Sequence, residues 1–427
     1  MGQLCRQRYT ATVISLGCIA DDLTGATDVA LMLQNAGMRT IQTIGVPAGI
    51  APADADAVVV ALKTRTVPAA EAVAQSLVAL SWLRRHGAGQ ILFKYCSTFD
   101  STDAGNIGPV ADALLEAMGE SFTVACPAFP TNKRTVYLGH LFVGAQLLSD
   151  SPMKDHPLTP MRDASLVRVL GRQTKRKVGL VPLTTVRQGA SEIRQAFAKL
   201  KDAGHVYAIV DAVADEDLLA LGSACAEMAL LTGGSGIAMG LPANFGMRKA
   251  AAASLPAVGG LAAVLSGSCS AQSNAQVAQW MKARPAFRID PLKLADGEDL
   301  AAAALAWAGP LLSAGPVLVY ATAEPDAVRQ AQARLGAQRA GELVEHCLAQ
   351  IAQGLIAKGV RRLVVAGGET SGAVVNALGA STLRIGPQID PGVPWTQSAG
   401  EPRLALALKS GNFGTVDFFD KALGMQQ

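Results

Sequence analysis

Two carboxylates stand side by side at Asp21-Asp22, after an apolar run that ends at Ala20 and before Leu23-Thr24-Gly25-Ala26. Beyond a buried strand, such a pair can bind substrate hydroxyls, accept a proton, or hold Mg²⁺ through water. One aspartate would suffice to cap the following helix, so the second is a candidate for chemistry. Two basic strand ends occur in the same half of the chain. Lys63-Thr64-Arg65-Thr66 closes one β-prone run, and Lys94-Tyr95-Cys96-Ser97-Thr98 closes another. Cations followed by hydroxyls suit a ligand with both a carboxylate and hydroxyl groups. The expectation is a small-anion site with Asp21 and Asp22 as catalytic groups and Thr24, Arg65, Lys94 and Ser97 facing the substrate.

A different chemistry marks the second half. Leu265-Ser266-Gly267-Ser268-Cys269-Ser270, Ala366-Gly367-Gly368-Glu369-Thr370-Ser371 and Lys409-Ser410-Gly411-Asn412-Phe413-Gly414 each follow a β-prone run. Glycines admit a phosphate close to the backbone, and hydroxyls or helix N-termini can bind it. Three such turns suggest one nucleotide site. No Gly-x4-Gly-Lys-Ser/Thr sequence occurs, nor a Gly-x-Gly-x-x-Gly after the first strand, nor a Gly-x-Ser-x-Gly elbow.

The elements that must position these turns follow a strand–helix rhythm. Apolar runs at 13–20, 40–44, 57–61, 91–95 and 122–125 alternate with helical stretches at 28–35, 69–86 and 108–118. That alternation predicts α/β architecture with largely parallel sheets flanked by helices, and ligands gathered beyond the strands' carboxyl ends. Residues 127–171 lose periodicity. Strands at 178–181 and 206–210 and a helix at 214–231 follow. The Gly/Pro/Ala-rich stretch after Thr232 reads as a connector, with domains at 1–240 and 258–427 and linker at 241–257. The second half repeats the rhythm, with strands at 262–266, 287–289, 316–321, 362–366 and 404–408 and helices at 271–283, 298–308, 338–358 and after Thr370.

Composition narrows the classes. Half of the 427 residues are hydrophobic and 17% are charged, so the chain can bury cores of this size. The net charge of +3 and the lack of a Lys/Arg stripe beyond Lys175-Arg176-Lys177 argue against nucleic acid. Seven dispersed cysteines without a Cys-x-x-Cys pair read as free thiols in a reducing compartment, and five histidines lack metal-ligand spacing. The apolar stretch 11–19 is too short to span a bilayer. It reads as a first strand of a cytoplasmic protein. Apolar helix faces suit a core or a homo-oligomer interface alike.

At these motifs the chain resembles the four-carbon acid sugar kinases, and within them the branch acting on 3-oxo-tetronates. The resemblance lies in CIADDLTGATDVA (18–30), KYCSTFDST with GNIGPV (94–110), RTVYLGHLFVG (134–144) and HPLTPMRD (156–163). It continues through LSGSCSAQSN (265–274), GGETSGAV (367–374), RIGPQIDPGVPW (384–395) and LALKSGNFG (406–414). It implies an N-terminal sugar-acid domain, a C-terminal ATP domain, an active site in the interdomain cleft, and transfer to a terminal hydroxyl with ATP and Mg²⁺. It places Ser266, Ser268, Gly367, Gly368, Glu369, Thr370 and Gly411 at ATP, and adds Arg162 to the substrate residues. Glu369 would help with Mg²⁺, whose ligands are otherwise unassigned. The alternatives are a D-threonate or D-erythronate 4-kinase, an NAD(P)-dependent sugar-acid oxidoreductase, and a non-catalytic sugar-acid sensor.

Overall fold

The computed structural model describes residues 14–49, 54–156, 158–248 and 255–425. The N-terminal half contributes eight strands to the main sheet, parallel to one another. In spatial order they are Thr40–Ile44, Ala57–Ala61, Leu16–Ala20, Gln90–Lys94, Leu230–Gly233, Thr123–Cys126, His205–Val210 and Lys177–Val181. Leu16–Ala20 is buried throughout, as its apolar sequence requires of a strand covered on both faces. The chain leaves it for the Thr40–Ile44 and Ala57–Ala61 side, then returns to pair Gln90–Lys94 on the other. Leu16–Ala20 is therefore the topological switch point, where open α/β sheets bind ligands.

The C-terminal half has five mutually parallel strands in the order Ala286–Arg288, Val317–Tyr320, Leu261–Ser266, Val360–Ala366 and Ala405–Lys409. An antiparallel hairpin, Thr382–Asp390 and Val393–Ser398, lies beside the last of them. Thr382–Asp390 also pairs antiparallel with Thr40–Ile44 of the first half, so one 15-stranded sheet runs through both halves. Sequence alternation implied separate sheets. Their fusion rests on backbone pairing between residues more than 300 positions apart, for which local sequence carries no signal.

Several element readings are corrected. The helix expected over 214–231 ends at Ala224, and Leu230–Gly233 is a strand in the middle of the sheet. Apolar residues on both sides of that junction suit a helix face and a buried strand alike. Thr232 and Gly233 are thus core residues. Short 3-10 turns at Ser235–Gly240, just before the expected linker, and at Pro242–Phe245, at its start, lie against the helix Asp215–Ala224. The linker's part at 249–254 lies outside the described residues, as does Val13 of the first strand. The stretch 127–171 contains a small antiparallel sheet, Arg134–Tyr137, His140–Val143 and Gln146–Leu147. The first helix begins at Leu23 rather than near 28, because Asp22 caps it.

Candidate active site

Three strands adjacent in space, Ala57–Ala61, Leu16–Ala20 and Gln90–Lys94, end in register, with Ala20 opposite Ala61 and Lys94. Their turns therefore meet. Arg65 donates through Nε and Nη2 to the two carboxylate oxygens of Asp21, at 2.9 and 2.8 Å, and through Nη2 to Asp22 Oδ1 at 2.8 Å. Asp100 approaches the same guanidinium at 3.8 Å. A small cavity beside this cluster is lined by Asp21, Thr64, Arg65, Asp100, Ser101 and Asn106, among others.

The two aspartates are not equivalent. Asp21 is buried with both oxygens on Arg65, and desolvation raises its pKa beyond what Arg65 offsets. Asp22 is the helix N-cap. It accepts from the Gly25 N–H at 3.0 Å and the Thr24 hydroxyl at 2.9 Å. Burial pushes its pKa up, but Arg65, Lys94, Thr24 and Gly25 outweigh burial and hold it below the usual carboxylate value.

Lys94 is almost wholly buried and donates to the Tyr95 carbonyl at 2.8 Å. A Cβ at Gly25 would come within 2.5 Å of its ammonium, so glycine is what lets this lysine reach the carboxylate turn. Ser97 is buried in the turn after Lys94. Arg162 stands apart. It opens onto a second cavity of about 840 Å³, with Arg168, Arg172 and His140, which meets the first at Ser101.

The C-terminal turns converge by the same device, since Ser266, Ala366 and Lys409 lie in register at the ends of adjacent parallel strands. Ser266 is fully buried, with its hydroxyl on Thr322 at 2.6 Å. Ser268 Oγ lies 3.3 Å from Ser270 Oγ, and its N–H donates to the Ala366 carbonyl at 3.2 Å. A Cβ at Gly411 would sit 2.5 Å from Ser268 Oγ. Gly367 has φ of 121°, and Gly368 opens the helix Gly368–Ala377, on which Thr370 is buried. At Gly367 and Gly411 a side chain does not fit without strain, and bare backbone there suits close approach of a phosphate.

The two sets of turns face one another. A Cβ placed on Gly368 would lie 3.5 Å from Thr24 Oγ1 and 3.6 Å from Asp22 Oδ2. Lys63 spans the junction, contacting Glu369 at 2.7 Å and Glu345 at 3.3 Å. Glu369 is thus engaged by a lysine of the other half. Among the described residues, no three His, Cys, Asp or Glu side chains gather as a metal site. The six described cysteines are free thiols.

Three neighbours of this site were not singled out from sequence. Asp28, one turn along the first helix, accepts from Ser235 Oγ at 2.5 Å while its buried Oδ1 has no partner. Burial pushes its pKa up to about 6. His156 accepts at Nδ1 from the Thr159 N–H and hydroxyl, and burial lowers its pKa. Lys409 is fully buried at the end of its strand. The one available signal was a charged residue closing an apolar run, a pattern Lys409 shares with Lys94.

A charged turn cluster facing a glycine–serine turn cluster across one continuous sheet defines a two-part α/β protein, with a pocket suited to a small anion beside backbone suited to phosphate. Comparison with known proteins narrows this. Residues 16–241 match the model of a sugar-binding N-terminal domain, and residues 263–419 that of a nucleotide-binding C-terminal domain. The chain is 63% identical over 415 residues to a 3-oxo-tetronate kinase of Burkholderia multivorans, covering 96% of each chain. It is 61% identical over 417 residues, again with 96% of each covered, to a 3-oxo-tetronate kinase of Cupriavidus necator. A crystal structure from Salmonella typhimurium LT2, provisionally described as a tRNA synthase, aligns with a TM-score of 0.86 and 43% identity over 97% of this chain and 100% of that one. The chain belongs to the four-carbon acid sugar kinase family.

Proposed function

We propose that this protein is an ATP-dependent 3-oxo-tetronate 4-kinase, with the sugar acid held by the half before residue 240 and the nucleotide by the half after 258. The observation that carries the reading is the approach of Asp22 and Thr24 to Gly368, which puts a carboxylate of the sugar-acid site against the turn suited to phosphate. The full-length likeness to 3-oxo-tetronate kinases names the substrate class.

Phosphoryl transfer asks for positioning and charge neutralisation more than for covalent catalysis. Arg65 and Lys94 hold the substrate carboxylate and hydroxyls. Asp22 orients the 4-hydroxyl. As the O4–Pγ bond forms and the bond from Pγ to the ADP oxygen breaks, the hydroxyl proton passes to the Asp22 carboxylate. Its depressed pKa keeps it ionised at neutral pH and ready to accept a hydrogen bond. Asp21 is the buried counter-charge that orients Arg65. Backbone at Gly367, Gly368 and Gly411, with Ser268 and Thr370, receives the triphosphate.

Mg²⁺ accompanying the nucleotide would supply charge neutralisation at the transferred group, with few protein carboxylates needed to hold it. Asp22 and Glu369 are the carboxylates nearest the phosphate turn able to support it.

The test is a coupled ADP-release assay over 3-oxo-tetronate, D-threonate and D-erythronate, with and without Mg²⁺. ADP release that is fastest with 3-oxo-tetronate supports the reading. Preference for a plain threonate or erythronate moves the protein to another branch of the family. NAD-dependent turnover or ligand binding without ADP release would remove the kinase reading altogether.

A further inference from the structure

Lys409 is an ammonium with no exposed surface and no carboxylate partner among the described residues. The elements packed around it offer none. The helix Ala271–Trp280 and the strand Val393–Ser398 carry no titratable residue. Arg361 and Arg362 lie at the far end of the neighbouring strand, since Arg362 is opposite Ala405 while Ala366 is opposite Lys409. Glu369 is taken by Lys63, Asp390 by Lys421, and Asp28 by Ser235. A buried charge without a counter-charge is costly, so its retention calls for a use.

Its three hydrogen bonds show that use. Nζ donates to Ser273 Oγ at 3.2 Å, to the Ser410 carbonyl at 3.1 Å and to the Gly411 carbonyl at 2.9 Å. The Ser270 and Ser273 hydroxyls pull on the same Gly411 carbonyl, at 2.7 and 3.1 Å. In a planar trans peptide the N–H points opposite to the C=O. Drawing the carbonyls of 410 and 411 inward therefore turns the N–H groups of Gly411 and Asn412 outward. Neither N–H has an acceptor among the described residues. Two successive free N–H groups form an anion-binding concavity. It adjoins Ser268, because a Cβ on Gly411 would meet that hydroxyl.

We infer that Lys409 is a positioning residue that builds this nest, holding two carbonyls inward so that the Gly411 and Asn412 amides receive the phosphate chain of the nucleotide, with its own charge left to be neutralised by that chain. The inference rests on the ATP reading and adds a residue to it. A proton linkage follows. Burial alone lowers the Lys409 pKa to about 7, and three acceptors require all three ammonium protons. An arriving phosphate raises that pKa, so binding above pH 7 takes up a proton and weakens as pH rises.

The experiment is calorimetric titration of the full chain and of Lys409→Met with ADP and with adenosine, in buffers of different ionisation enthalpy. ADP affinity of the variant should fall about tenfold or more, while adenosine affinity stays within about twofold. Wild-type binding of ADP should take up close to one proton at about pH 8 and far less near pH 6, and the variant should lose that difference. Equal ADP affinity in variant and wild type, or equal losses for ADP and adenosine, overturns the inference. Should the variant fail to fold, absence of proton uptake by the wild type at pH 8 overturns it equally. A wild type that binds no ADP would instead remove the ATP reading.

Discussion

The two facing turn clusters are built alike and charged differently. Each stands on three adjacent parallel strands that end in register, so turns far apart in sequence meet at one edge. In the N-terminal cluster, three carboxylates, Asp21, Asp22 and Asp100, lie within ion-pair reach of Arg65, and Lys94 is buried nearby. In the C-terminal cluster the walls are glycine backbone and serine hydroxyls, with a buried lysine that has no carboxylate partner among the described residues. The difference follows from the ligands each would hold. A small hydroxylated acid needs fixed side-chain geometry and a proton acceptor, whereas a phosphate chain needs N–H groups and room.

The largest effect should come from removing the charge that links the clusters. Asp22→Asn keeps a helix cap but loses the proton acceptor, and kcat should fall about 10²- to 10⁴-fold with little change in the KM for ATP. Steady-state kinetics on both substrates reads this. A raised sugar-acid KM with kcat intact would make Asp22 a binding group and blur the contrast between the clusters.

Arg65→Gln should raise the sugar-acid KM by about tenfold or more and also lower Tm, because Asp21 is left buried without its partner. Adding Asp21→Asn should recover part of the Tm but none of the KM, a separation that thermal melts and kinetics can check together. Recovery of both would show that Arg65 acts only through the fold.

Gly411→Ala places a methyl against Ser268 Oγ and should weaken ADP binding about tenfold while leaving sugar-acid binding alone. Binding titrations of each ligand decide it. Equal loss for both ligands would mean that the clusters are not separate in function.

Asp28 provides a test by pH. Its folded pKa of about 6 lies above the unfolded value, so its ionisation opposes folding most above pH 6, and the penalty fades as pH falls from 6 toward 4. Asp28→Asn should therefore have a higher Tm than wild type near pH 8, with the gap narrowing at lower pH. A gap that is independent of pH would place the effect in packing. The smallest effect belongs to Lys63→Ala, which breaks a mostly exposed bridge between the halves and should cost no more than about 1 kcal/mol in denaturant titrations.

Much of this was legible in the chain before any fold was known. Leu16–Ala20, Thr40–Ile44 and Ala57–Ala61 are apolar runs bounded by turn residues, and their strand character is local. Asp21, Asp22, Arg65 and Lys94 stood out because charged residues closing apolar runs are costly unless used. Legibility failed where one local pattern serves two structures. Residues 214–231 read as one helix because apolar spacing on Asp215–Ala224 continues into Leu230 and Leu231, the start of the strand Leu230–Gly233. The hairpin Thr382–Asp390 and Val393–Ser398 mixes Pro, Gly and polar residues among apolar ones, and its strand character comes from pairing on both sides.

By itself the sequence determined the α/β class, the division of chemistry between an acidic, basic first half and a glycine–serine second half, and the family. Each of these is carried by residue type and short-range order. Only the tertiary structure decided that the two sheets join edge to edge, and that Asp22 rather than Asp21 faces the phosphate turn. The same holds for the buried Lys409, which draws two carbonyls inward. Adjacent residues in a turn point in different directions, and which one meets the other half is set by packing between segments hundreds of residues apart.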